Sequence, residues 1–144
     1  MERISSRGKE RPESRVTSEG ENTILRCHPS DEPAISIRDL TGAIRSWIEI
    51  GNPDAARLHK ASKASPRVAV YTHKDPAQVV NRLAGERIHR AEAVELWSID
   101  RAFLAALAAR LERRMAFSLS INDRELYLSI GADTLVGKVT RHPL

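Results

Sequence analysis

Only one cysteine, Cys27, occurs in the 144 residues, so no disulfide can close within the chain and no thiolate-rich zinc cluster can form. A reducing, cytoplasmic setting is the expectation. Long apolar runs are also missing. Nothing approaches the ~18 residues that span a bilayer, and the opening Met1-Glu2-Arg3-Ile4-Ser5-Ser6-Arg7 has no apolar segment of a secretory leader. A membrane partner is therefore not expected. The seven glycines form neither a GxGxxG nor a GxxxxGK pattern, which removes the phosphate-cradling loops. His28, His59, His73, His89 and His142 are scattered without metal-ligand spacing, and Cys27-His28 lacks a third group to orient it for nucleophilic catalysis.

What the chain does have is a modest basic excess, 23 Lys and Arg against 19 Asp and Glu. That balance permits a polyanionic partner without demanding one. The length suits one domain. Residues 1–22 alternate Arg, Lys, Glu and Ser with almost nothing large to bury, and are expected to be a disordered charged tail ahead of a domain over 23–144.

Within that domain the pattern predicts short strands near 23–26 and 35–37, a turn at Leu40-Thr41-Gly42, and a strand over 43–50 with Ile44, Ile48 and Ile50 on one side and Trp47 and Glu49 on the other. Ser46 interrupts the apolar side. Asn52, Pro53 and Asp54 supply cap, first-turn proline and first-turn acid for a helix over 53–63. Val68-Ala69-Val70-Tyr71 reads as an interior strand, and Asp75-Pro76 opens a helix reaching about residue 90. A strand at 94–98 follows, then a helix capped by Asp100 with Phe103, Leu104, Leu107, Ala108 and Leu111 at three- and four-residue intervals. Residues 115–121 and 125–130, joined by Asn122-Asp123-Arg124, predict a hairpin. Helices between strands imply an α/β layer, whose strand ends are where ligands sit.

The chemistry-bearing candidates cluster around one strand-turn-helix unit. Asp39 and Glu49 have nine residues between them and are the candidate metal ligands, because magnesium prefers oxygen donors. Arg57 and Lys60 stand three apart on the following helix and share a face, Lys60 being the better candidate for a catalytic cation. Each has a plainer reading beside it. Asp39 before Leu-Thr-Gly also suits turn initiation, Glu49 a solvated or salt-bridged strand end, and Arg57 and Lys60 ordinary helix-surface charge. Trp47 reads most simply as a core aromatic.

The order Arg38-Asp39-Leu40-Thr41-Gly42-Ala43-Ile44, then Trp47 through Asp54, then Arg57-Leu58-His59-Lys60-Ala61-Ser62 resembles the core of the YaeQ family. The resemblance continues through Arg67-Val68-Ala69-Val70-Tyr71 and the 115–130 hairpin. It implies an α/β fold with a mixed central sheet and flanking helices, restriction-endonuclease-like or PD-(D/E)XK-like in layout, with Mg²⁺ as cofactor. It further implies a bacterial setting and a link to nucleic acid or the transcription machinery. The position two after Glu49, where that superfamily motif has Lys, is Gly51.

Two departures from the family pattern stand out. His28-Pro29-Ser30 runs directly into Asp31-Glu32-Pro33, where YaeQ-like sequences place a long helix between, and Val79-Val80 stand where family members often carry tryptophan. The chain thus reads as an internally deleted member with one sheet face short of its helix. Burial of ~500 Å² of apolar surface is worth roughly 12 kcal/mol of gross transfer energy, so self-association through the uncovered face is expected. Two functions follow: a non-catalytic or degenerate module on nucleic acid or the transcription machinery, and a Mg²⁺-dependent phosphodiesterase using Asp39, Glu49, Lys60 and Arg57.

Overall fold

The computed structural model describes residues 14–18, 21–25 and 31–144. Among them the chain forms strands β1 Ser14–Ser18, β2 Glu21–Leu25, β3 Ile35–Arg38 and β4 Ile44–Ile50, helix α1 Ala55–Ala64, strand β5 Arg67–Thr72 and helix α2 Pro76–Leu83. Strand β6 Glu95–Ile99, helix α3 Arg101–Ala108 and strands β7 Ser118–Asn122, β8 Glu125–Ile130 and β9 Asp133–His142 complete it. The strands lie in the order β1-β2-β3-β4-β5-β6-β9-β8-β7. Only β4, β5 and β6 run parallel to one another, and every other neighbouring pair is antiparallel. The architecture is therefore α/β with a mixed sheet and flanking helices. No helix among the described residues is long and apolar enough to cross a membrane.

The parallel strands need crossover connections, and α1 and α2 supply them. Both pack on one face of β4–β6, where Trp47, Val68, Val70, Val94 and Leu96 meet Leu58, Ala61, Val79 and Leu83 in the principal core. A second, smaller core lies where α3 covers β8 and β9, with Phe103 over Leu126 and Leu128. The long strand β9 links them, pairing with β8 through its first half and with β6 through its second.

Several expectations need correction. The tail expected over 1–22 contains β1 and the start of β2, which pair as antiparallel neighbours, and the domain start expected at residue 23 falls inside β2. The charge of the segment suggested disorder, whereas its Val16, Thr17 and Thr23 favour extended backbone. Residues 1–13, 19–20 and 26–30 lie outside the described residues.

The inward side of β4 is reversed from the one its isoleucines suggested. Trp47 is 2% exposed and Glu49 4%, while Ile50 is 57% exposed. Two-residue alternation defines two faces but not which one the helices choose. Here α1 chooses the Trp47 side. The opposite face, expected to lie bare, is less so: Ala69 is fully buried, and Ile35, Ile37 and Ile48 are half-buried.

Helix limits also move. α1 is capped by Asp54, whose carboxylate accepts the Arg57 backbone N–H at 2.8 Å, and not by Asn52. α2 stops at Leu83, well short of residue 90, because Ala84 is already extended and Gly85, at φ +76°, completes a turn in which the Glu86 N–H donates to the Leu83 carbonyl at 3.2 Å.

Candidate functional site

The end of β4 and the start of α1 are joined by Gly51-Asn52-Pro53-Asp54, so the penultimate strand residue and the first turn of the helix face each other. Gly51 adopts φ +102° and donates its N–H to the Tyr71 carbonyl at 2.9 Å, which fixes the turn against β5. This local geometry sets Arg57 over Glu49. Arg57 Nε lies 2.8 Å from Glu49 Oε1, and the Trp47 indole N–H donates to the same oxygen at 2.5 Å. Arg57 Nη2 also donates to the Glu32 carbonyl at 2.7 Å, tying the segment before β3 to the same centre. A carboxylate this buried is stable only with such partners, and hydrogen-bonded pairing to a guanidinium is the strongest kind available.

Lys60 lies on the same helix and makes no ion pair with Glu49. Its ammonium pairs with Asp31 at 3.1 Å on the surface. Exposed pairs of this type contribute little.

Asp39 is elsewhere. It sits in the β3–β4 turn, where its Oδ1 accepts the Thr41 N–H at 2.9 Å, the Thr41 hydroxyl at 2.6 Å and the Ala43 N–H at 3.1 Å. The Thr41 hydroxyl bond is the main reason its carboxyl titrates below the ordinary carboxylate range, aided by the two backbone N–H donors and Arg45 and opposed by desolvation. Asp39 precedes the first residue of β4 and Glu49 is near the last. At ~3.3 Å per residue the strand alone separates them by about 16 Å, whereas two ligands of one Mg²⁺ each lie ~2.1 Å from it.

The structure therefore brings Glu49, Arg57 and the Asp31–Glu32 segment together, with Lys60 at the margin, and leaves Asp39 at the opposite end of β4. Nine intervening residues suggested convergence because tight hairpins return the chain. Here the hairpin turn contains Asp39 itself, and Glu49 lies at the open end beyond the Ile35–Ile48 pair. Among the described residues no group of three or more His, Cys, Asp or Glu side chains is placed to hold a metal ion. The Asp39 and Glu49 pair does not fit a shared Mg²⁺.

Two features escaped sequence reasoning. The Ser98 hydroxyl and His142 Nε2 lie 2.7 Å apart across β6 and β9, a contact that depends on a strand pairing no local pattern announces. No carboxylate among the described residues orients this imidazole, so it is a cross-strand bond without the third member of a hydrolytic triad. The Tyr71 and Trp97 rings stack, and both Arg124 and Arg141 stand over Trp97.

Comparison with known proteins points to a single family. The sequence profile described as YaeQ protein matches residues 27–139. The uncharacterized protein YaeQ of Escherichia coli (strain K12) is 29% identical over 111 residues, covering 76% of this chain and 61% of the relative. The Salmonella typhi counterpart is 28% identical over the same length. The chain thus spans about 61% of the length of these curated relatives. Among solved structures, the YaeQ protein from Xanthomonas axonopodis pv. citri superposes with a TM-score of 0.67 at 26% identity, over 79% of this chain and 65% of that one. The YaeQ protein from Pseudomonas syringae gives 0.64 at 19% identity, over 77% and 62%, a likeness of fold alone.

Proposed function

The chain belongs to the YaeQ family, and from that premise we propose that it binds nucleic acid without cutting it, as a non-catalytic module on a nuclease-like α/β scaffold. The observation that carries this reading is the pairing of Arg57 with Glu49 at 2.8 Å, with Trp47 on the same oxygen. A metal-dependent phosphodiesterase needs its strand-end carboxylate open to an ion and a second acid within reach. Glu49 is instead neutralised by a guanidinium, and Asp39 caps a turn at the far end of the strand. The basic excess of four charges supports a polyanionic partner. Association with the transcription machinery, implied by the family resemblance, is the proposed context of that binding.

The test is incubation of the purified chain with labelled single- and double-stranded DNA and RNA, with Mg²⁺ or Mn²⁺. The expected result is retention of the nucleic acid intact, with an affinity that falls as salt rises. Metal-dependent cleavage that disappears in Glu49→Ala overturns the reading.

A further inference from the structure

A row of side chains crosses the sheet on the face turned away from α1 and α2. Ile50 of β4 is in register with Tyr71 of β5, Tyr71 with Trp97 of β6, and Trp97 with Arg141 of β9. Residues paired across strands share a face, and these alternate with the Glu49, Val70 and Leu96 row that faces the helices. The Tyr71 and Trp97 rings are within 11° of parallel, with centroids 6.3 Å apart. Two guanidinium groups stand over the indole, Arg124 at 5.0 Å and Arg141 at 5.8 Å from its centroid.

This cluster is rich in donors and poor in acceptors. Arg124 and Arg141 are exposed, and no carboxylate among the described residues pairs with either. Glu95, on the same strand face as Trp97, is engaged by Arg67 at 2.7 Å. The buried Trp97 indole N–H has no hydrogen-bond partner. Two like charges over one ring repel each other unless an anion joins them.

The placement of Arg124 adds to this. It occupies the second turn position between β7 and β8 at φ +68°, directly after Asp123 at φ +46°. That two-residue turn favours glycine at its second position. An arginine held there at a conformational cost points to use of its side chain.

Resting on the nucleic-acid reading above and deepening it, we propose that Tyr71, Trp97, Arg124 and Arg141 form a stacking site for single-stranded nucleic acid, bases lying on the Tyr71 ring and on the guanidinium planes that cover Trp97, and phosphates bonding the guanidinium N–H groups. Adjacent strands presenting aromatic rings on one sheet face match the way unpaired bases are held, since only unpaired bases offer both π-faces. A duplex would engage the arginines alone.

The experiment is fluorescence anisotropy of the full chain with a labelled oligothymidylate, the same strand annealed to its complement, and an abasic strand of equal length. Each variant is checked for folding by circular dichroism. Arg124→Ala/Arg141→Ala is expected to weaken single-strand binding tenfold or more and to lower the salt slope by about 1.4, roughly 0.7 per phosphate contact. Tyr71→Leu and the abasic strand are each expected to weaken it by about 5-fold or more, the loss of one stacked base, while Tyr71→Phe binds as the unaltered protein does. Equal affinity of the unaltered protein for abasic and base-bearing strands overturns the site without recourse to any variant. So does undiminished binding by the double arginine variant. Either result leaves the broader reading standing, whereas no binding of any oligonucleotide by the unaltered protein ends both.

Discussion

Removing the Arg57 guanidinium leaves the Glu49 carboxylate buried with only an indole N–H on its bonded oxygen. Arg57→Ala is expected to cost about 3 kcal/mol, the lower end for breaking a buried pair because Arg57 keeps some solvent contact. Glu49→Gln/Arg57→Met recovers most of it, as urea unfolding of the three proteins will show. Two other residues set the pH response. His59 accepts the His89 backbone N–H on Nδ1 at 3.0 Å, and desolvation first, then Lys63, Arg87 and His89, holds its pKa below the ordinary 6.5. The unfolded chain therefore takes up the proton first, and stability falls as pH drops below 6.5 toward the lower folded value. Thermal melts at successive pH values are expected to show this decline, and His59→Asn to flatten it. Asp39 acts in a separate, more acidic window. Its lowered pKa stabilises the fold above 3.8, and that contribution disappears as pH falls through the still lower folded value. Thr41→Val removes the largest cause and is expected to raise the Asp39 pKa in an NMR titration.

At the scale of elements, what the sequence made legible was local chemistry. Asp75-Pro76 and Asp100 open α2 and α3 as their side chains predict, each carboxylate accepting an N–H two residues on. The turn at residues 40–42 and the hairpin of β7 and β8 follow from their turn residues in the same way. What was not legible depended on partners distant in sequence. β9 has Gly137 in its interior, and a glycine there weakens a strand signal. The structure supplies the reason for it: a Cβ at Gly137 would stand 2.6 Å from Phe103 Cβ and 2.7 Å from Cδ2. Gly137 is the space into which α3 lowers its largest side chain. Gly137→Ala is expected to destabilise by roughly 2 kcal/mol through overpacking, and Phe103→Leu to relieve part of that in the double variant, read by denaturant unfolding. The same dependence on distant partners explains the candidate site. Glu49 and Arg57 are close in sequence and meet across one strand-to-helix turn, whereas the convergence of Asp39 required a register that the β3–β4 hairpin does not have.

At the scale of the molecule, the helices cover opposite faces of different parts of one sheet, and the sheet ends on β7. That edge strand, Ser118-Leu119-Ser120-Ile121-Asn122, carries no charge or proline to blunt it, and Leu119 and Ile121 lie exposed on it. We expect concentration-dependent self-association there rather than through the central face, with Leu119→Lys/Ile121→Lys abolishing the rise in sedimentation coefficient. The central claim concerns the end of the interior strand β4, where a guanidinium holds the carboxylate that a nuclease would give to a metal. Calorimetric titration with Mn²⁺ tests it directly. The account predicts no saturable one-to-one heat for the unaltered protein; a stoichiometric site that Glu49→Gln removes would contradict it.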